Sequence, residues 1–489
     1  MISKIIKHEW RVLAADSSLW IVVAVFALAV GGAILNGALA ARRQQESINR
    51  FALYREGEIN KLRRQAEAEE RQNASRHDSQ NSYEFWGARH PFRIQDEAGH
   101  LRIIAPPAPL AALAIGQSDL FPIAYSVSTR GTSFATQEKD SIELEQVENP
   151  LKLLTGYFDL SFVFVYLYPL LILALSYDLI AAEKEAGTLA MPLSQPVGLR
   201  TFITGKIVAR AVAVFGCVIV FSLAGFLLNG LDRAADGAFA RLGIWLLAVV
   251  SYGAFWFGLA VLANAAGKSS AANALRLAAC WLSLIIVIPS LVNLTASALY
   301  PVPSRAEFIL AKRNATASAK AKSSQLMGSF FEAHPELALS NEQKKLPLVE
   351  LAAQDEEAVR QLQPLRDRFN TQLLGQQQLI ARCRFLSPAL LLQATLNDIA
   401  GAGLSRHQHF LSQAARFYEE WKGFFQPKIF SDEALCASEY KQIPKFAFRE
   451  ESFSSVITRC AVPLLTLTGL TFVFGVAGLR AYRRYRILS

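Results

Sequence analysis

The chain has 489 residues, 52% hydrophobic and 19% charged, with 50 Lys and Arg against 41 Asp and Glu for a formal charge of +9. A soluble protein is about 45–50% apolar and about 25% charged, so the average is only mildly apolar, with a mean hydropathy of +0.23. The apolar residues are gathered in a few long uncharged runs, which excludes a single soluble domain, a disordered chain and a disulfide scaffold.

A helix crosses about 30 Å of hydrocarbon with about 20 apolar residues. Six runs are long enough: 19–41, 160–182, 207–231, 242–264, 277–299 and 457–479. Backbone groups in hydrocarbon must be satisfied within their own segment, so each run is expected to be a helix. VVAVFALAV in the first run lacks the alternation of a barrel strand. The expected fold class is therefore an all-α polytopic membrane protein with six transmembrane helices and two large, mainly helical extracytoplasmic segments.

In chain order, residues 1–18 form a short cytoplasmic helix carrying Lys4, Lys7 and Arg11. The first span ends in Ala38-Leu39-Ala40, which resembles a cleavage site, but a signal h-region has only about 7–15 residues, so a retained span is expected. The first extracytoplasmic segment, 42–159, opens with Ile48, Ala52, Ile59, Leu62 and Ala66 at helical spacing among charges. This predicts a helix continuing out of the span, as a solvated stalk rather than a partner surface. APPAPLAALAIGQSDLFP follows, a compact loop or small subdomain punctuated by prolines. After the second span, residues 183–206 form a cytoplasmic loop, and 207–299 hold spans three to five. The second extracytoplasmic segment, 300–456, reads as helices broken near Pro364 and Pro388. The sixth span leads to a basic cytoplasmic tail, 480–489.

Orientation follows from Lys and Arg beside the short loops. With both termini cytoplasmic, Lys184, Arg200, Lys206, Lys268, Arg480, Arg483, Arg484 and Arg486 all lie inside. The +9 charge then reads as topology and lipid contact, with no nucleic-acid partner. Asp159 and Asp178 bracket the second span, and Arg210 and Arg459 lie near the ends of the third and sixth; all four are expected to anchor at hydrated interfaces. Asn36, Asn293 and Pro289 lie deeper, where they either line a pathway or join helix packing and kinking.

Catalytic signals are weak. His407-Gln408-His409 places two imidazoles at i and i+2, on different faces of the helix expected there, so surface histidines are favoured over a metal site. Gly267-Lys268-Ser269 resembles the end of a P-loop, but Leu262 stands where the motif needs glycine and a span precedes it. No catalytic residue, cofactor or metal is assigned to this chain. Cys383 and Cys436 share the second extracytoplasmic segment, and a disulfide between them is left open.

The informative stretch is the loop Glu183-Lys-Glu185-Ala-Gly187-Thr188-Leu189, then Ser194-Gln-Pro196, Arg200, Gly205 and Lys206. A short charged helix, a Gly-Thr break and a second turn capped by Ser194 with Pro196 in its first turn would lie along the inner membrane surface. Glu183 and Glu185 would face a cytoplasmic partner while Leu189, Met191 and Leu193 pack inward. The bland alternative is an ordinary connector.

This loop resembles that of ABC-2-type transporter permeases, which reads approximately E-x-E-x-G-T-L, a small-Pro turn, a basic residue and G-K. The likeness widens to a branch with two large extracytoplasmic segments and no established substrate, where NPLKLLTGYFDLSFVFVYLYPLLIL, PPAPLAALAIGQSDLFP and SPALLLQATLNDIAGAGLSRHQHF look like recurrent blocks. The resemblance implies a half-transporter of the bacterial cytoplasmic (inner) membrane that pairs with a second permease chain, as homodimer or heterodimer. It also implies a separate cytoplasmic ABC ATPase that binds the ATP and receives the coupling helix at roughly 180–200. Two alternatives stand beside it: a mechanotransmitter acting on an envelope partner without transport, and a receptor or scaffold with no ATPase.

Overall fold

The computed structural model describes residues 2–75, 87–134 except 101, 117, 119–122 and 130, 158–228 except 190, 192–193 and 195–197, 237–266, 269–326 except 323–324, 332, and 346–482 except 432. Six helices among them are long and apolar enough to cross a membrane, the organisation of a multi-pass membrane protein.

An amphipathic helix α1 (Ile2–Ala15) is followed by Asp16, whose carboxylate accepts the Leu19 N–H at 3.4 Å as a new helix begins. That helix, α2 (Ser17–Ser75), has 59 residues and runs from the first apolar span straight into the charged sequence beyond it, about 88 Å at 1.5 Å per residue. The predicted continuation is thus present, but not as a solvated stalk. Leu62 and Ala66 are buried in a core shared with α3 (Pro91–Gly99), a small sheet and the long helix α12 (Leu404–Ser431). The sheet adds strands to the expected all-α class: β1 (Ile103–Ile104), β2 (Ala124–Ser128) and β3 (Gly131–Phe134) are antiparallel in sequence order, with Ile103 opposite Tyr125 and Tyr125 opposite Phe134. Ile94, Ile103, Phe410, Phe417, Trp421 and Phe425 fill this core, so the two long segments between spans fold together as one body.

The second span, α4 (160–176), contains a π-helical turn at Val163–Leu167; the fifth, α8 (Ser270–Leu299), contains one at Ser283–Val287. Each turn is followed two residues later by a proline, Pro169 or Pro289. Proline has no N–H, so carbonyls of the preceding turn lose helical donors. Donors from elsewhere take them up: the Tyr252 hydroxyl donates to Val165 O at 2.9 Å and the Trp281 indole to Tyr166 O at 3.2 Å. Pro289 thus sits just past a π turn within a continuous helix, and Asn293 is exposed on the same helix. The remaining spans are α6 (Leu199–Leu228), α7 (Ala238–Ala266) and α13 (Phe453–Ala481). α6 begins eight residues before the expected start of the third span, so Arg200, Gly205 and Lys206 stand on a helix rather than in a loop.

Between α8 and α13 come α9 (Arg305–Ala321), α10 (Leu346–Cys383) and α11 (Pro388–Ala400), with α12 after them. The break expected near Pro364 is absent. α10 runs through it, because a proline flanked by good helix formers forfeits one hydrogen bond without ending an otherwise continuous helix. The break at Pro388 is present: a 3₁₀ turn, Arg384–Leu386, leads to Ser387, whose hydroxyl accepts the Leu390 N–H at 3.3 Å, with Pro388 in the first turn.

The proline-rich stretch is a buried irregular wedge. Ala108 and Leu110 to Ile115 are all buried, and a Cβ on Gly37 of α2 would lie 2.2 Å from the Ala112 carbonyl oxygen. The Leu110 N–H donates to Ala400 O at 3.2 Å and the Ser161 N–H to Leu113 O at 3.2 Å. Asp159 closes the wedge, accepting from Ile115 N at 2.9 Å, Gly116 N at 3.3 Å and Phe162 N at 2.7 Å. It is 3% exposed, so it is a buried clamp and helix cap rather than a hydrated anchor. Three backbone N–H groups in an otherwise apolar corner require an acceptor, and its carboxylate is the group that reaches them.

Candidate functional site

The Glu183 loop begins where α4 ends. A turn at Tyr177–Ile180 leads to α5 (Ala181–Glu185), and Gly187 then takes φ +69°, a conformation glycine adopts without a Cβ penalty. Three groups converge on the Glu183 carbonyl: Thr188 N at 2.9 Å, Leu189 N at 3.2 Å and Thr188 Oγ1 at 3.3 Å. The Gly-Thr pair thereby folds the chain back so that Leu189 enters a small core with Leu179, Ile180, Ile203, Val261 and Tyr482. Met191, expected to pack inward, is 77% exposed instead, since that core is closed by Leu189 two residues earlier. Pro196 and Leu193 lie outside the described residues, as do Gly267 and Lys268.

Beneath the loop is a buried ion cluster. Lys206 Nζ lies 2.8 Å from Glu183 Oε1 and 3.9 Å from Glu9 Oε2, and donates to Leu179 O at 3.0 Å. One turn along α6, Arg210 pairs with Glu9 at 2.8 Å and with Asp178 at 3.1 Å, and also donates to Leu175 O. Glu9, Lys206 and Arg210 are each at least nine-tenths buried. Three carboxylates and two cations from α1, the α4 end, α5 and α6 thus pair in one cluster, buried at Glu9, Lys206 and Arg210 and partly exposed at Asp178 and Glu183. Breaking a buried pair from one side costs about 3–5 kcal/mol. Arg210 is therefore a structural ion-pair partner rather than a snorkelling anchor. Gly205 makes the approach of α1 possible, because a Cβ there would sit 2.8 Å from Ile5 Cγ2. Arg200 stands in the first turn of α6, where its carbonyl accepts the Thr204 hydroxyl at 2.8 Å.

Glu185 points the other way. Its two carboxylate oxygens accept the Ser270 N–H at 2.8 Å and the Ser270 hydroxyl at 2.9 Å, at the N-terminus of α8, where the helix dipole favours a negative charge. A second tie lies deeper. Asn264 donates to Ser176 O at 2.8 Å, and Asn273 donates to Asn264 Oδ1 at 3.1 Å, joining α4, α7 and α8. The loop is consequently bound through its carboxylates to two spans, α6 and α8, while Thr188, Met191 and Ser194 are exposed.

Sequence reasoning missed Glu9, Ser270, Asn264 and Asn273. Glu9 carried a usable signal, as the one acidic residue in the basic helix α1. Elsewhere, His407 and His409 do stand on a helix and find different partners: His407 packs on Phe410, while His409 meets Phe448 and lies 3.1 Å from Arg449 O. Arg459 pairs with Glu451 at 2.5 Å. Cys383 and Cys436 are both free thiols, one at the end of α10 against α8 and the other in the segment after α12 that packs toward α2, so the pairing left open is not made.

The class of protein defined by this fold is a helical multi-pass membrane protein with a large body built from the segments between its apolar helices. Residues 305–449, 145 of the 489, are similar to the family described as a domain of unknown function, DUF3526. That stretch runs from the start of α9 to just before α13. No curated protein matches the chain.

Proposed function

We propose that the chain is the membrane-spanning permease subunit of an ATP-binding-cassette exporter, coupling ATP hydrolysis by a separate cytoplasmic ATPase to movement of a substrate across a bacterial inner membrane. The observation that carries this reading is the double attachment of the Glu183–Leu189 loop. Glu183 is held to α6 and α1 by Lys206 at 2.8 Å, and Glu185 is held to α8 by Ser270 at 2.8 Å. A loop tied at both carboxylates to different spans passes a push on its exposed face to those spans as a rigid-body displacement. Hydrolysis stays with the partner, and this chain supplies the lever. A second permease chain would complete the pathway, with both termini and the loop on the ATPase side.

One observation favours the mechanotransmitter as a second reading. α2 is a single helix of 59 residues that joins the apolar bundle to the far body, so tilting of the span would carry that body with it and act on an envelope partner. Inside-out vesicles containing the chain and its ATPase separate the two. ATP-driven uptake supports export, ATP hydrolysis without uptake of any candidate solute supports the mechanical role, and failure of the chain to associate with an ATPase overturns both.

A further inference from the structure

The helices α6 and α13 both pack on α7, but through side chains of very different size. α13 meets α7 backbone to backbone: a Cβ on Gly258 would lie 3.3 Å from Gly475 N, and one on Gly478 would lie 3.0 Å from Leu262 N. α6 meets it through bulky rings. Phe215 stands edge to face on Phe257 of α7, with centroids 5.8 Å apart. Beside that pair, Ala211, Ala254 and Gly258 are too small to fill the space the rings hold open. What remains is a cleft of about 240 Å³, with α7 as its floor and α6 and α13 as its walls.

The cleft has a defined depth. Along α6 it runs from Thr204 to Phe215, about 16 Å at 1.5 Å per residue. That is roughly half of the about 30 Å of hydrocarbon that a membrane helix crosses. It is the half beside the Glu183–Leu189 loop, since Val261 and Leu479 line it near the loop ends of α7 and α13. It opens outward, because Val208 on its rim is 38% exposed and neighbouring Val212 is 55% exposed. Both of its hydroxyl protons are already engaged. Thr204 Oγ1 donates to Arg200 O at 2.8 Å, and Thr471 Oγ1 donates to Leu467 O at 2.9 Å, with Ser251 O at 3.2 Å. A polar solute entering here would give up water without gaining a donor in exchange, whereas a hydrocarbon chain gives up nothing.

A cation stands where such a chain would end in its headgroup. Arg200 precedes Thr204 by one turn on the same face of α6, and its guanidinium Nη2 has no hydrogen-bond partner among the described residues. A guanidinium is well matched to phosphate oxygens. The cleft also shares side chains with the loop: Val261 and Ile207 line it and pack in or against the small core that receives Leu189. We propose that this cleft seats one acyl chain of a phospholipid from the loop-side leaflet, with the lipid phosphate held by Arg200. A seated chain touches the same two side chains that hold Leu189. The seat is independent of the ATPase reading.

The test starts with the full chain extracted in mild detergent. Native mass spectrometry should find one phospholipid retained per chain. Its occupancy should fall at least fivefold in Ala211→Phe, which fills the cleft, and stay unchanged in Val220→Phe, at an exposed position further along α6. Val208→Trp fills the cleft from its rim and serves where Ala211→Phe does not fold. In vesicles, phosphatidylglycerol bearing a diazirine midway along one acyl chain should label residues 204–215 at least threefold more than residues 216–228. Arg200→Gln should lower that labelling at least threefold, while labelling by a diazirine fatty alcohol, which has no phosphate, should not change. Equal labelling along α6, the mark of ordinary surrounding lipid, overturns the seat. So does undiminished occupancy in the cleft-filling variants, or a benzophenone at Val208 that captures a second copy of this chain instead of lipid. Labelling by the phospholipid that survives Arg200→Gln overturns the phosphate contact.

Discussion

Glu183 and Lys206 close a 2.8 Å ion pair across 23 residues of sequence, and the same ammonium lies 3.9 Å from Glu9 on the N-terminal helix. A loop carboxylate, a membrane-length helix and an amphipathic surface helix are thus joined at a single nitrogen. α1 is consequently part of the machinery that any movement of the loop must displace.

Arg210 is predicted to be the least replaceable member of this cluster. Arg210→Met leaves Glu9, 3% exposed, with only the longer Lys206 contact, and should destabilise the chain by about 3–5 kcal/mol. Glu9→Met with Arg210→Met removes both charges and should recover most of that loss. Thermal unfolding in detergent, followed by the monodisperse fraction on size exclusion, reads the difference. A double variant no more stable than Arg210→Met contradicts the pairing.

Close approach of α1 to α6 should behave as a size-matched pair. Gly205→Val puts methyl groups where Ile5 Cγ2 now lies, 2.8 Å from the Cβ position, and should cost roughly 1–3 kcal/mol by overpacking. Adding Ile5→Ala should relieve at least half of it. Additive losses in the double-mutant cycle would show that the two helices do not meet there.

The helix α12 predicts an acid limb in stability. Burial pushes the His407 imidazole down to about 4, below the value of about 6.5 it has in an unfolded chain. The unfolded state therefore takes the proton first. Stability from this group is complete above about pH 6.5 and is lost as pH falls toward about 4, on the order of 2–3 kcal/mol in all. His407→Gln should flatten the melting temperature over that window. An unchanged slope would assign the acid limb to other groups.

Free thiols at Cys383 and Cys436 predict that the chain migrates identically with and without reductant. They also predict that exposed Cys436 reacts with a water-soluble maleimide under non-reducing conditions. A mass two units lower than the free-thiol value, restored by reductant, would show a bond between them.

Length and uniform apolarity made the six spans legible, because nothing but a helix satisfies twenty consecutive apolar residues in hydrocarbon. The run from Arg42 to Gln72 was legible as a helix from its spacing, but its buried face was not, since Leu62 and Ala66 meet partners hundreds of residues away on α12. α11 was legible as a helix after the break at Pro388, but its packing was not: thirteen residues are too few to register as a span, and Leu391, Leu392, Leu396 and Ile399 nevertheless share the core of the apolar helices. The loop motif singled out Glu183, Glu185 and Lys206; pattern alone pointed both carboxylates toward a partner, and the fold places Glu183 on Lys206 and Glu185 on Ser270. Met191 is the converse case: its apolar side chain suggested an inward role, and it stands exposed.

That exposure supplies the most direct test of the coupling account. A benzophenone amino acid in place of Met191, irradiated in intact cells, should cross-link the chain to a protein carrying the nucleotide-binding motifs of an ABC ATPase. The same substitution at Phe472, an exposed position in the middle of α13, should not. Cross-linking of the Met191 position to lipid alone, with no ATPase adduct, would contradict the assignment of this loop as the coupling element.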